Sequence, residues 1–187
     1  SIPVATALNY NGFVYVDNGD GTCNITGYND FYAEDVVIPS TINDLTVVSI
    51  TGFRQKNSIR YVSIPETVEV IGANAFSNCK KLYSVAIGTG VKTIGKSAFS
   101  GCVELTSINI RNTEHLGDMA FYGCTKLDGD SLWIPSAVVS IGDSAFRYCG
   151  NIEAITVPET VKTEPNAVEF PSISLVVNST FTATASI

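Results

Sequence analysis

Apolar residues recur along the chain in a unit of about 23 residues. Ala-Phe pairs follow one another at steps of 23, 22 and 25 residues, and a cysteine lies three residues after each phenylalanine. The four copies are Ala75-Phe76 with Cys79, Ala98-Phe99 with Cys102, Ala120-Phe121 with Cys124, and Ala145-Phe146 with Cys149. A repeat of this length predicts a solenoid, because no single unit can bury its apolar residues without packing on its neighbours.

An apolar ladder follows each cysteine in the same phase. Its copies are Leu82, Val85 and Ile87; Leu105, Ile108 and Ile110; Leu127, Leu132 and Ile134; Ile152, Ile155 and Val157; and, earlier, Ile59, Val62 and Ile64. The alternation that ends each ladder predicts a short strand with one buried face, which suits its β-branched residues. Two extra residues around Asp128-Gly129-Asp130 predict a bulge or a loop in the third copy.

An apolar residue and a glycine precede each Ala-Phe pair, at Ile71-Gly72, Ile94-Gly95, Leu116-Gly117 and Ile141-Gly142. The glycine indicates a turn, and Ala-Phe-x-x-Cys has the length of about one helical turn with its phenylalanine inward. The sequence therefore predicts an α/β-type, mostly β, repeat solenoid. We expect about five to six units of 22–25 residues, with a parallel sheet on the concave face and short turns or single-turn helices opposite.

Both ends of the chain depart from the repeat. Phe13–Val16 and Cys23–Tyr28 flank turn-forming residues, which predicts a hairpin. Near the other end, Glu164 and Pro165 replace the apolar anchor and the glycine. The predicted organisation is an N-terminal β-hairpin cap over residues 1–35, repeats over 36–170, and a C-terminal cap or the start of a further β segment over 171–187.

The stretch from Ile64 through Ile87 follows the pattern I-P-x-x-V-x-x-I-G-x-x-A-F-x-x-C-x-x-L-x-x-V-x-I. This pattern resembles the BspA-like, or Treponema pallidum type, leucine-rich repeat, and the resemblance covers about Val36 to Val161. It implies a right-handed leucine-rich-repeat solenoid. It also implies a bacterial protein, secreted or at the cell surface, that adheres to host proteins or to other cells. The family has no shared catalytic residues to carry over to this chain.

Charge and composition narrow the range of partners. The formal charge is -7 and the pI about 4.6, so the chain lacks the basic surface that nucleic acid or an anionic membrane requires. The adjacent pair Lys80-Lys81 is expected to be solvated. No run of 18 apolar residues occurs, so we expect no membrane insertion. The chain begins with Ser1, and whether a signal peptide was removed stays open.

The titratable residues do not form a recognisable reaction centre. Four cysteines share one repeat position at a rung spacing of about 4.8 Å, so we expect free, buried thiols that pack as small hydrophobes. His115, the only histidine, occupies the slot of Thr93 and Ser140, which should face solvent without an orienting partner. The turn at residues 17–21 lacks the downstream Glu of a calcium loop. The sequence therefore predicts no enzyme, no cofactor and no metal site.

Outward positions between the buried ladder residues form the predicted binding surface. They are Tyr61, Ser63, Ser84, Ala86, Ser107, Asn109, Ser131, Trp133, Ala154 and Thr156, with Arg111 at a strand exit. This surface is small, polar and almost uncharged, and its exposed tryptophan is a hot-spot candidate unless it merely covers the inserted loop. The predicted partner-binding residues are Tyr61, Ser84, Asn109, Arg111, Trp133 and Thr156.

These residues favour a non-catalytic, adhesin-type module that binds a host extracellular or cell-surface protein through the concave strand face. Two alternatives stay open, namely a structural spacer that holds other domains away from the cell surface and a module that binds a glycan on the same face. One contiguous outward patch favours recognition, because a spacer has no reason to cluster aromatic residues there.

Overall fold

A computed structural model describes residues 6–128, 134–150, 152, 154–163 and 174–178. Within these ranges the chain forms short strands joined by turns, and no residue is helical. In chain order the strands are β1 (Leu8–Tyr10), β2 (Phe13–Asp17), β3 (Thr22–Tyr28), β4 (Asp35–Val37), β5 (Thr41–Ile42), β6 (Leu45–Ile50), β7 (Tyr61–Ile64), β8 (Val70–Ile71), β9 (Ser84–Ile87), β10 (Thr93–Ile94), β11 (Ser107–Ile108), β12 (His115–Leu116), β13 (Ser140–Ile141), β14 (Ala154–Pro158), β15 (Lys162–Thr163) and β16 (Ser174–Asn178).

The apolar ladders form a parallel sheet of four strands in the order β11-β9-β7-β4, which we call the first sheet. Tyr61 lies opposite Ser84, and Val62 lies opposite Val85, so equivalent positions of successive repeats are neighbours. Val62 and Val85 are buried between outward residues. The parallel pairing predicted from the ladder is confirmed.

A second sheet lies where the sequence predicted only a turn. Strands β6, β8, β10, β12, β13 and β15 pair in parallel, and the N-terminal strands extend this sheet to ten strands in all among the described residues. From β8 onward each of its strands is two residues long, and β8, β10, β12 and β13 each have one buried apolar residue, such as Ile71 or Ile94. The prediction of a single sheet per repeat was therefore wrong, because two residues are too few to show an alternating pattern.

The Ala-Phe-x-x-Cys segment is a series of turns and not a helical turn. Asn74, Phe76 and Asn78 donate their backbone N–H groups to carbonyls of the next repeat, at 2.7–2.9 Å. The residues between them, Ala75 and Ser77, donate their N–H groups to carbonyls three residues earlier, both at 3.2 Å. This alternation places Asn74 and Asn78 in the left-handed region, with φ of 56° and 58°. A helix would keep every donor within its own segment, whereas here every second donor binds the neighbouring repeat.

The phenylalanines of the repeats stack in one column through the core. They are Phe53, Phe76, Phe99, Phe121 and Phe146, and none has exposed surface. Adjacent ring centroids are 5.0–5.5 Å apart, and the last four rings are within 7° of parallel. The inward direction predicted for the phenylalanines is confirmed.

The N-terminal hairpin meets the first end of this column. Strands β2 and β3 pair antiparallel, and β3 pairs in parallel with β6 of the first repeat. The Tyr28 ring lies 5.3 Å from that of Phe53 and 4.9 Å from that of Phe13. These rings cover Phe53 on the N-terminal side of the column.

The last repeats continue the second sheet and add a separate two-stranded sheet. Strand β15 pairs in parallel with β13, and Thr163 lies opposite the anchor Ile141, so the prediction that Glu164 takes this position was wrong by one residue. Strand β16 pairs in parallel with β14 over five residues. The inserted loop predicted around Asp128-Gly129-Asp130 falls on residues 129–133, which lie outside the described ranges.

Candidate functional site

The outward positions of the first sheet form one continuous surface across four strands, which we call the strand face. One row consists of Asp35, Tyr61, Ser84 and Ser107, and the next consists of Val37, Ser63, Ala86 and Asn109. Neighbouring positions within a row are about 4.8 Å apart, the usual spacing between paired strands. Asp35 is the one charged residue in these two rows, so most of the strand face is small and neutral.

Four of the six predicted binding residues are close together on this surface. Tyr61 and Ser84 are half-buried neighbours on β7 and β9. Asn109 directly follows β11 and is exposed, and its Oδ1 accepts the Arg111 N–H at 3.2 Å. This hydrogen bond fixes the turn from which the exposed Arg111 extends.

The two remaining predicted residues are placed differently. Thr156 is exposed on β14, and that strand pairs with β16 and not with the first sheet in the described ranges. Trp133 lies outside the described residues, as does its outward neighbour Ser131. Tyr61 is therefore the aromatic anchor that the described part of the strand face contains.

The second sheet presents a surface whose polar groups bind one another. Thr93, His115 and Ser140 are neighbours in register, so the slot predicted for His115 is confirmed. The Nδ1 of His115 lies 2.9 Å from the Ser140 hydroxyl, so the expectation that this ring has no orienting partner was wrong. Lys92 pairs with Glu114 of the next repeat at 3.1 Å. Such exposed contacts add little stability, but they leave few free polar groups for a partner.

The repeat cysteines form a second ladder beside the phenylalanine column. Each thiol donates its S–H to the carbonyl of the phenylalanine in the preceding repeat. The pairs are Cys79 with Phe53 at 3.0 Å, Cys102 with Phe76 at 3.2 Å, Cys124 with Phe99 at 3.2 Å, and Cys149 with Phe121 at 3.1 Å. The sequence predicted burial, which is confirmed, but not this hydrogen bond. The sequence did contain a signal for this hydrogen bond, because each repeat cysteine lies three residues after a phenylalanine.

Burial makes these thiols poor nucleophiles. It raises the pKa of Cys79 and of Cys149 to about 12, and it raises the pKa of Cys102 and of Cys124 well above the ordinary value. The thiolate is the reactive form, so at neutral pH almost none is present. The cysteine ladder therefore packs the core and occupies a carbonyl of each preceding repeat.

We expect thiol titration to separate the native from the unfolded chain. All five cysteines are buried and free, so a chromogenic disulfide should react with almost none of them in the native protein. Five thiols per chain should react in guanidinium chloride without reductant. If no thiols appear under those conditions, disulfides replace the S–H contacts and the ladder is wrong.

The repeat pattern matches that of a known protein family. The profile of the BspA type leucine rich repeat region matches residues 46–170 in six copies. The chain belongs to this family. The match is to a repeat family and not to an enzyme family. No curated protein sequence matches the chain.

Solved structures of bacterial leucine-rich repeat proteins resemble this BspA-type chain. The T. pallidum leucine rich repeat protein TpLRR is 25% identical, with 92% of this chain and 86% of that chain covered and a TM-score of 0.75. A leucine rich cell surface protein from Faecalibacterium prausnitzii is 28% identical, with 97% and 53% covered and a TM-score of 0.78. The pneumococcal vaccine antigen PcpA, 20% identical with 94% and 51% covered and a TM-score of 0.72, shares the fold. The BspA-type chain spans about half the length of the latter two.

Two further observations concern the described part of this BspA-type chain as a whole. Its His, Cys, Asp and Glu side chains form no group of three that could hold a metal ion. A helix long and apolar enough to cross a membrane does not occur there either.

A set of exposed aromatic residues outside the strand face was not predicted from the sequence. Phe31 is 67% exposed and Tyr32 is 91% exposed in the loop between β3 and β4, and Tyr83 is half exposed immediately before β9. The Nζ of Lys56 lies 3.7 Å from the centroid of the Phe31 ring. The only sequence signal nearby was Lys80-Lys81, which looked like an ordinary solvated pair of the BspA-type repeat.

Proposed function

We propose that this BspA-type chain is a non-catalytic recognition module that binds a partner protein through the strand face. The observation that carries the proposal is the register of the first sheet. It places Tyr61, Ser84 and the strand positions beside them in one uninterrupted array. A spacer has no need of a continuous, mostly uncharged face, whereas the core of a protein interface is depleted of charged residues.

The strand face has the physical properties of a preorganised interface. Its side chains project from paired strands whose backbone is already ordered, so binding loses little conformational entropy. Serine and alanine allow a partner to approach the sheet closely, and Tyr61 supplies the large amphipathic side chain that often dominates binding energy. Arg111 at the rim can hydrogen-bond a carbonyl or a carboxylate of the partner.

Location at the cell surface or in the secreted fraction belongs to the same proposal. The F. prausnitzii relative carries the description of a cell surface protein, and the T. pallidum relative covers most of its own length with this fold. A host extracellular or cell-surface protein is the partner class that such a location favours. The buried thiols, with their raised pKa values, also support a binding role without catalysis.

The double change Tyr61→Ala and Trp133→Ala is expected to weaken binding by more than about 1 kcal/mol, because it removes the two aromatic side chains predicted for the face. The measurement is a biolayer interferometry titration against a panel of purified extracellular-matrix proteins. The matched control is the double change Lys96→Ala and His115→Ala on the second sheet, which is expected to alter the dissociation constant less than twofold.

Each variant is first shown to unfold at the same temperature as the parent. Binding that is lost in the control pair and retained in the aromatic pair would place the site on the second sheet and contradict the proposal. Saturable binding of glycans alone would favour the glycan alternative. An absence of any partner for the parent chain would favour the spacer.

A further inference from the structure

A cationic groove lies at one edge of the first sheet, beside the strand face but separate from it. We call it the edge groove, and it is lined by Arg60, Lys80, Lys81, Tyr83, Val103 and Glu104. Three consecutive repeats contribute to it. The Tyr83 N–H donates to the Arg60 carbonyl at 2.9 Å, and the Tyr83 carbonyl accepts from the Thr106 N–H at 3.1 Å, so its walls rest on the paired backbone of the sheet.

Positive charge is concentrated here in a chain that is acidic overall. Five of the 11 lysines and arginines occur between residues 54 and 81, whereas the formal charge of the whole chain is -7. A second depression, lined by Phe31, Arg54, Lys56 and their neighbours, adjoins the edge groove at Asn57. The Oδ1 of Asn57 accepts the Lys80 N–H at 3.1 Å. This hydrogen bond links a lining residue of each depression, and we call the two together the cationic strip.

The acidic residues near this strip already have cationic partners. Glu104 pairs with Lys126, at 2.6 Å, and Glu34 pairs with Arg60, at 3.6 Å. Among the described residues, neither Lys80 nor Lys81 forms an ion pair. Their ammonium groups stay available to an anionic ligand, and the nearby low-dielectric groove wall strengthens that attraction.

The apolar lining determines which anion fits best. Val103 and the half-exposed ring of Tyr83 offer a surface for an aliphatic or aromatic side chain beside the lysines. A hydroxyl-rich polysaccharide needs hydrogen-bond acceptors as well as donors, and the one carboxylate in the lining is engaged by Lys126. An acidic peptide needs donors and apolar contact, which this groove provides.

We propose that the edge groove binds an acidic segment of a partner protein that carries an apolar side chain between its carboxylates. The edge groove spans three rungs, which are separated by two spacings of about 4.8 Å, or about 10 Å, and this corresponds to about three residues of extended chain. The carboxylates of the segment would meet Lys80 and Lys81, and its apolar side chain would lie against Tyr83. This surface is independent of the strand face, so either proposal can fail while the other stands.

The test uses a fluorescein-labelled peptide, EEFEE with both ends blocked, and fluorescence anisotropy at low salt. Its QQFQQ counterpart is expected to bind at least about tenfold more weakly. The double change Lys80→Gln and Lys81→Gln should weaken EEFEE binding about fivefold, as the loss of two exposed charge contacts implies. The matched control, Lys92→Gln with Lys96→Gln, removes the same charge from positions that flank β10 and should change binding less than twofold.

A second variant examines the apolar contact. Tyr83→Ala should weaken binding of EEFEE but leave the weaker binding of EEGEE unchanged, because only the phenylalanine contacts that ring. Tyr61→Ala on the strand face should affect neither peptide.

Three results would overturn the proposal. They are equal weakening by the two lysine pairs, an absence of saturable EEFEE binding, and tighter binding of oligogalacturonate than of EEFEE. The last result would identify the ligand class as an acidic polysaccharide.

Discussion

Phe99→Ala is expected to destabilise the chain by about 3–5 kcal/mol, the usual range for a fully buried phenylalanine. The Phe99 ring has no exposed surface, and it stacks between Phe76 at 5.3 Å and Phe121 at 5.5 Å. Its removal leaves a cavity in the middle of the column, where both neighbouring repeats lose a contact surface. Thermal unfolding followed by circular dichroism should show a midpoint lower by roughly 6–20 °C.

The matched control for this change is Phe31→Ala, which removes the same side chain from a site that is 67% exposed. We expect it to alter stability by no more than about 0.5 kcal/mol. A midpoint within one degree of the parent for Phe99→Ala would mean that the phenylalanines do not form a continuous core. Equal effects of the two changes would lead to the same conclusion.

Gly52→Ala is expected to lower the free energy of unfolding by about 2–5 kcal/mol, as the sum of two effects. The backbone at Gly52 has φ of 84°, a left-handed conformation that costs an alanine about 1–2 kcal/mol. A Cβ atom there would also lie 2.0 Å from the Thr26 carbonyl oxygen and 2.6 Å from the Gly27 Cα. Both are backbone atoms of the adjacent rung, so relieving the overlap disturbs the pairing of β3 with β6 and adds about 1–3 kcal/mol.

Gly123→Ala separates these two sources. Gly123 has φ of 71°, but a Cβ atom at that position would meet nothing within 4 Å. The substitution should therefore cost only about 1 kcal/mol, from the backbone conformation. Chemical denaturation of both variants measures the difference. Equal losses of stability would show that the rungs near Gly52 are not as closely spaced as the structure has them.

The buried positions of this fold could be predicted from the sequence because apolar residues recur there at a regular spacing. The ladder through Val62, Val85 and Ile108 predicted parallel strands, and the common phase of Phe99 and Cys102 predicted inward side chains. In each case the same residue type recurs at each repeat, since the stacked units impose the same environment.

Features set by backbone conformation were not predictable in the same way. The second sheet consists of two-residue strands, too short to show a period. The turns depend on left-handed residues, and while Asn78 is a usual choice, Met119 and Tyr148 take the same conformation with φ of 55° and 64°. Methionine and tyrosine are not typical of the left-handed conformation, so the sequence did not distinguish these turns from a single helical turn.

Only part of the candidate site followed from the sequence, for a related reason. Alternation identified Tyr61, Ser84 and Asn109 as outward positions, and the register brings them together. The edge groove combines residues about 23 positions apart, such as Arg60 and Tyr83, that share no alternation with the strands. In the sequence each of them looks like an ordinary exposed residue, because only the stacking of the repeats brings them together.

Hydroxyl-radical footprinting tests most directly the claim that this solenoid recognises proteins through its strand face. The method measures solvent access of side chains, with and without a partner from the extracellular-matrix panel at saturating concentration. We predict strong protection of Tyr61 in the complex, together with unchanged oxidation of His115 and of Met119, which is 37% exposed in the turn before Phe121. Protection of Met119 and His115 with unchanged oxidation of Tyr61 would contradict the claim.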